Sequence, residues 1–370
     1  MKIKCAKNEL IQGIQIVLSA VSTKSSLPVL SNILFEAKEG GKVKLATTDL
    51  EIGVTTYINA EVLKEGGVTI PAKKLHDIIK EITTDEIEIK SNDDARVYID
   101  SGTSHFSIMG LHRDDFPVLP DFNTGDGEFV INKDILKSML KKTVFAVSYD
   151  ETRYVLNGLY MELDKGKLKF VATDGRRLAY IINNVEADKK LRTTVIIPTK
   201  AVNELNRLLS IIETENVNVG IKDNQIAFKI GEHIMVSRLI EGSFPNYEQV
   251  IPKNNETHVI IDKEDFMAVT RRVALMTSDK MNSIKYQFSD NKLKVSTSSQ
   301  GIGEAEDELA IEYDGPTLEM AYNPMFIIDV LKNIETNTIK LEVSGALNPG
   351  ILKPAGNDDY LCVVMPMRLS

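Results

Sequence analysis

Two runs of alternating apolar and polar residues, Leu156 to Leu163 and Leu168 to Ala172, predict half-buried strands. The turn Asp164-Lys165-Gly166 joins them, and Thr173-Asp174-Gly175 ends the second before the basic pair Arg176-Arg177. The chain carries this pattern three times. Leu30 stands where Leu156 stands and Asp49 where Asp174 does, while Ile284 opens the third copy. These apolar positions lie 126 and 128 residues apart (156 minus 30, 284 minus 156).

Other features keep nearly the same period. Helical patterns open at IPAKKLHDIIKEI (Ile70), IPTKAVNELNRLL (Ile197) and YNPMFIIDVLKNI (Tyr322). A first helix of each unit ends in AVS at Ser22, AVS at Ser148 and LMTS at Ser278, and FPVLP at Phe116 returns as FPNYEQVIP at Phe244. Within the first unit, Leu10, Ile14, Val17 and Val21 share one face of a helix over Asn8 to Ser22. Pro71 suits the start of the second helix, where a missing N–H costs nothing. Strands follow at Glu86 to Lys90, Arg96 to Ile99 and Ser104 to Met109.

Each unit therefore reads helix, strands, helix, strands, an α+β class with extensive antiparallel sheet. The polar stretches Asp121 to Glu128 and Lys253 to Thr257 are candidate linkers, giving domains 1–121, 128–252 and 257–370. Such short linkers predict one rigid arc. Positive groups recur on the helices: Lys133, Lys137 and Lys141 form a stripe at i, i+4 and i+8. Lys73 and Lys74 correspond to Lys200, with Arg207 two turns on, and Arg271-Arg272 fall on the third unit's first helix.

Composition is ordinary for a soluble globular protein, at 43% hydrophobic and 26% charged residues. No apolar run is long enough to span a membrane and the first residues lack a signal peptide's apolar core, so a cytoplasmic protein is expected. Cys5 and Cys362 make neither a disulfide framework nor a metal spacing. The net charge of −9 argues against a generally basic DNA reader, while leaving room for local positive stripes. No phosphate-binding loop, zinc signature or nucleophile elbow occurs, so neither enzyme, metal nor cofactor is expected. Asp49 and Asp174 could suggest catalysis; their equivalence across repeats favours a turn-forming role.

TDGRRLA (Thr173 to Ala179), SRLIEGSFPNYEQVIP (Ser237 to Pro252) and VVMPMRL (Val363 to Leu369) resemble the bacterial sliding clamp family, the beta subunit of DNA polymerase III. The likeness spans the whole chain. It implies a three-domain crescent that closes as a head-to-tail homodimeric ring around duplex DNA, without base readout. It also implies an ATP-dependent clamp loader as partner, and a groove that takes peptides from the polymerase III alpha subunit, other polymerases and repair proteins. A peptide-binding repeat scaffold that never meets DNA is the alternative.

Carried onto this sequence, the DNA-facing groups are Lys24, Lys73, Arg153, Tyr154 and Lys200, to which the helix stripe adds Lys137 and Lys141. The groove maps to Leu156, Thr173, Gly175, Arg177, Leu178, Pro245, Val250, Val363, Met365, Pro366, Met367 and Arg368. Methionines suit a surface that accepts varied apolar partners. Glu248-Gln249 departs from the basic residues of many relatives. At the ring interface the resemblance implies that Phe106 and Ile108 meet Leu275 and Met276 of the other chain; by charge alone, the acidic run Glu304 to Glu308 is either a solvated face or a partner of Lys74 or Arg96 across the joint.

Overall fold

The computed structural model describes residues 1–22, 26–120, 128–253, 257–278 and 282–368. Most of the first candidate linker, the middle of the second and Lys24 lie outside them. Six helices are described: α1 Lys7–Val17, α2 Ala72–Glu81, α3 Lys133–Val144, α4 Thr199–Ile211, α5 Lys263–Ala274 and α6 Pro324–Asn333. Two fall in each repeat, as the sequence pattern predicts.

By their internal contacts the residues of the chain group into two compact units. One holds 1–135, 186–191 and 200–239; the other holds 136–185, 192–199 and 240–370. The middle repeat is thus divided, because its strands complete sheets begun by its neighbours.

In the first unit, a five-stranded sheet runs Glu61–Lys64, Lys2–Ala6, Glu86–Ser91, Arg96–Ser101, Ser104–Met109. A nine-stranded sheet runs Glu186–Ala187, Phe129–Asn132, Asn216–Lys222, Gln225–Ile230, His233–Arg238, Ile52–Asn59, Lys42–Thr48, Asn32–Ala37, Gly66–Pro71. Repeats one and two join inside it where Gly53 faces Val236.

In the second unit, an eight-stranded sheet runs Arg192–Pro198, Gly158–Asp164, Lys167–Thr173, Arg177–Asn184, Tyr360–Val364, Gly350–Pro354, Thr338–Val343, Thr257–Asp262. Repeats two and three join where Leu178 faces Val363. A four-stranded sheet runs Gly303–Ala310, Lys292–Ser299, Ile284–Ser289, Leu318–Tyr322. The paired strands are antiparallel throughout.

Helices bury the faces their periodicity marks: Leu10, Ile14 and Val17 in α1, Leu75 and Ile79 in α2, Phe266, Val269 and Val273 in α5. α1 stops at Val17, short of the expected Ser22, because Leu18–Ala20 tighten into a 3-10 turn. Likewise Glu151–Leu156 form a 3-10 segment, so the strand expected from Leu156 begins at Gly158.

A repeated lock ties each helix pair. The N–H groups of Lys7, Lys133 and Lys263 donate to the carbonyls of Asp85, Glu215 and Asn337. Their ammonium groups reach the carbonyls of Ile82, Ile212 and Ile334, just past the ends of α2, α4 and α6. There they satisfy acceptors that a helix terminus leaves open. Lys133 is therefore committed to this lock and leaves the predicted basic stripe to Lys137 and Lys141.

Candidate functional site

The turn Thr173 to Leu178 is built by its own side chains. Asp174 Oδ1 accepts from the N–H groups of Arg176 at 2.8 Å and Arg177 at 3.0 Å. Thr173 Oγ1 accepts from Gly175 N–H and donates to the Arg177 carbonyl. The bonds recur around Thr48 and Asp49, with Glu51 and Ile52 as donors to Asp49. The turn-forming role expected for both aspartates is the one observed. Gly175 has φ +83° and its counterpart Leu50 φ +77°, so the turn needs a left-handed residue at this place.

Arg177 then enters the strand, and its side chain is only 12% exposed. Nε lies 3.2 Å from Asp174 Oδ2, Nη1 2.7 Å from Asp329 Oδ2, and Nη2 donates to the Phe145 carbonyl at 2.8 Å. Its guanidinium also lies over Phe326 at 4.7 Å and Phe145 at 5.4 Å. The charge is satisfied inside the protein.

Beside this clamp lies an apolar surface. Leu178 and Val363 are buried with Val171, Tyr247 and Ile351, against Tyr160, Tyr180, Phe244, Ile251 and Leu361. Phe244 stacks on Tyr160 with centroids 4.9 Å apart. Burial first, then Glu162, pushes the Tyr160 phenol up to about 12, so it stays a neutral donor. The tail is tied down: Met365 N–H donates to the Arg176 carbonyl and Met367 N–H to the Ala321 carbonyl.

The structure thus brings Thr173, Gly175, Arg177, Leu178, Val363 and Met365 together on one turn and its paired strand. Leu156 is buried nearby in sequence, its carbonyl accepting from Ser148 N–H. Pro245 and Val250 are exposed and flank the buried Tyr247; Pro366 and Met367 are half-buried and Arg368 is exposed. Phe145, Phe326, Asp329, Tyr160 and Tyr247 belong to this arrangement and escaped the sequence reading. Asp329 carried one overlooked signal, an acid at the same place as Asp77 and Glu204 in the other second helices.

Of the DNA-facing candidates, Lys73, Lys141, Arg153 and Tyr154 are exposed and Lys137 is half-buried. Arg153 sits near Asp150, and its Nη1 is 3.5 Å from the Asp174 carbonyl. Lys200 is bound by Asp49 at 2.5 Å and Glu51 at 3.0 Å. Burial opposes its charge, yet bonds to the two carboxylates outweigh that and hold its pKa above the ordinary value. Arg207 is spent on Glu204 and two main-chain carbonyls, and Arg272 on Asp307.

Phe106 and Ile108 are half-buried on Ser104–Met109, the edge of the five-stranded sheet. Leu275 is 78% exposed and Met276 37%. The acidic run lies on Gly303–Ala310, the edge of the four-stranded sheet. Glu306, Glu308 and Asp307 pair with Lys294, Lys292 and Arg272 of the same chain.

Burial pushes the Cys5 and Cys362 thiols up to about 12, which removes both as nucleophiles at neutral pH. No described helix is long and apolar enough to cross a membrane.

Models of the DNA polymerase III beta subunit match the chain in series: its N-terminal domain over residues 1–120, central domain over 130–246 and C-terminal domain over 248–368. A beta sliding clamp of Chlamydia muridarum is 34% identical over 369 residues, covering 100% of this chain and 99% of that one. The crystal structure of the DNA polymerase III subunit beta from Pseudomonas aeruginosa superposes with TM-score 0.94 at 33% identity, covering both chains fully. A sliding clamp of the same organism bound to griselimycin gives the same TM-score, identity and coverage. With its three domains matched in order over nearly its whole length, the chain belongs to the DNA polymerase III beta subunit family, the beta sliding clamps.

Proposed function

We propose that two copies of this DNA sliding clamp close into a ring that encircles duplex DNA, and that the surface beside Arg177 binds peptides of the replicative polymerase and other replication and repair proteins. The domains are taken as 1–121, 128–252 and 257–370. The ring acts by topology, as a processivity factor without chemistry of its own, in the cytoplasm. A separate ATP-dependent loader opens it.

Two open sheet edges carry this reading. Strand Ser104–Met109 holds in the first repeat the place of His233–Arg238 and Tyr360–Val364 in the others. Strand Gly303–Ala310 holds the place of Ile52–Asn59 and Arg177–Asn184. Both internal joints pair the first kind of strand with the second. The one remaining strand of each kind supports a third joint between copies, with Phe106, Ile108, Leu275 and Met276 around it, and Lys74 and Arg96 near the acidic run. Unpaired edges are otherwise a liability that proteins cover.

For DNA, exposed Lys73, Lys141, Arg153 and Tyr154 and half-buried Lys137 supply weak phosphate contacts, with Lys24 and Lys200 as further candidates. Lys200 would first have to exchange Asp49 and Glu51 for phosphate. Contacts this sparse, on a chain of net charge −9, suit a protein that slides. The groove offers apolar walls and a neutralised arginine, which suits apolar side chains of a Gln-Leu type peptide. Family membership disfavours a scaffold that never meets DNA.

Loaded on nicked circular duplex, the protein is expected to remain bound at moderate salt and to leave once the circle is cut, as followed by gel filtration. Equal loss from circles and linear fragments rejects encirclement.

A further inference from the structure

Each second helix carries an acid and, three positions later, a base: Asp77 and Lys80 in α2, Glu204 and Arg207 in α4, Asp329 and Lys332 in α6. In the first unit, Glu204 accepts from Ser19 Oγ at 2.5 Å, just past the end of α1. Arg207 donates to the Gln15 and Ile16 carbonyls at 3.3 and 2.7 Å. A cation there is favoured, because the last turn of a helix exposes carbonyl oxygens and the negative end of its dipole.

The second unit repeats the theme with other atoms. Asp329 accepts from Arg177, which also donates to the Phe145 carbonyl just past the end of α3. Ser19, Phe145 and Leu275 hold one equivalent place, each twelve residues after its helix-opening lysine (19 minus 7, 145 minus 133, 275 minus 263). In two of three cases, then, the acid of a second helix engages the end of the preceding repeat's first helix.

Among the described residues the third set finds no such mate within its own chain. Asp77 and Lys80 are exposed on α2, with His76 at 3.7 Å from Asp77. The end of α5 presents Leu275 to solvent. Asp77 with Lys80 and the end of α5 are the two halves of a contact made twice within the chain; the Arg272 carbonyl accepts from Leu275 N–H at 3.3 Å and keeps a second lone pair for a further donor.

We propose that Asp77 and Lys80 of one copy dock on the C-terminal turn of α5 in a second copy, Lys80 donating to the main-chain oxygens of Arg271 and Arg272. Those carbonyls hold the places of Gln15 and Ile16, eight and nine residues after the opening lysine (271 minus 263, 272 minus 263). Lys80 thereby plays the part of Arg207. This inference rests on the ring reading and names residues that the apolar joint does not include.

The full chain is studied by sedimentation velocity over a dilution series. Lys80→Ala is expected to raise the dimer dissociation constant about tenfold or more, since each ring loses charge-assisted bonds at two joints. Lys80→Arg, copying Arg207, is expected to bind at least as tightly as the native chain. An unchanged constant for Lys80→Ala, or Lys80→Arg as weak as Lys80→Ala, overturns the proposal. Leu275→Asp separates the two levels: monomers for it alone leave the ring standing while the α2 docking fails. A dimer indifferent to Leu275→Asp removes the interface itself.

Discussion

Replacing Arg177 by Ala tests whether the proposed peptide groove owes its shape to a guanidinium spent inside the protein. The side chain is 12% exposed, and its partners Asp174 and Asp329 are 20% and 29% exposed. Losing one side of a buried ion pair costs about 3–5 kcal/mol. Here Asp174 keeps two main-chain donors and Asp329 keeps Lys332 at 3.9 Å. Water also reaches both carboxylates, so the cost falls to about 2 kcal/mol. For a unit of this size that lowers the melting temperature by about 4–8 °C. In a fluorescence titration with a Gln-Leu peptide, Arg177→Ala is expected to bind at least tenfold more weakly. Arg177→Lys is expected not to rescue it, because an ammonium cannot reach Asp174, Asp329 and the Phe145 carbonyl as one planar fork. The first joint forms with Ile52 in the equivalent place, so strand pairing alone does not require the arginine. A melting point within about 1 °C of native together with unchanged peptide affinity would refute the reasoning.

At the left-handed turn position the two repeats make opposite predictions. Gly175→Ala is expected to destabilise by about 1 kcal/mol, since an added Cβ lies 2.8 Å from Arg153 Nη1 and φ is +83°. Leu50→Gly relieves the same strain at φ +77° and is expected to be neutral or mildly stabilising, both read from urea midpoints. Burial opposes the ionised form of Glu342, but bonds from Lys353 and Lys340 outweigh it and lower its pKa. Its contribution is therefore full above the unfolded value of about 4.3 and lost as pH falls through the lower folded value. Glu342→Gln is expected to lose less stability than the native chain between about pH 5 and pH 3, measured by thermal melts.

Features fixed by local spacing were legible in the sequence. The hairpin at Asp164-Lys165-Gly166, the Asp49 and Asp174 turns and the six helix patterns all depend on neighbours a few residues away. What escaped depends on partners far along the chain. Arg177 finds Asp329 across 152 positions and the Phe145 carbonyl across 32. Lys200 finds Glu51 across 149, which changed it from a free cation into a paired one. Lys133 matched a helical stripe by spacing, yet its ammonium turned to a carbonyl from the other helix of its repeat. Periodicity tells which side of a helix a lysine leaves from, and not what its flexible stem then reaches.

Repetition also explains how one joint can support different tasks. The strand register at Gly53 and Val236 recurs at Leu178 and Val363, so the main-chain pairing is a constant. The side chains around it are free to vary. At the first joint the strand carries Ile52 and the helix acid turns to Ser19 and Arg207, which closes the seam. At the second, Arg177 draws the equivalent acid into a clamp, and the next residue, Leu178, packs with Val363, Phe244, Tyr247 and Ile251, whose sequence neighbours Pro245 and Val250 are exposed. The surface proposed for peptide recognition thus differs from the first joint by a rewired structural contact, with no new element of fold. That same economy gives the exposed Asp77 and Lys80 their place in the proposed ring, for a seam made twice within the chain leaves one set of its parts unmatched among the described residues.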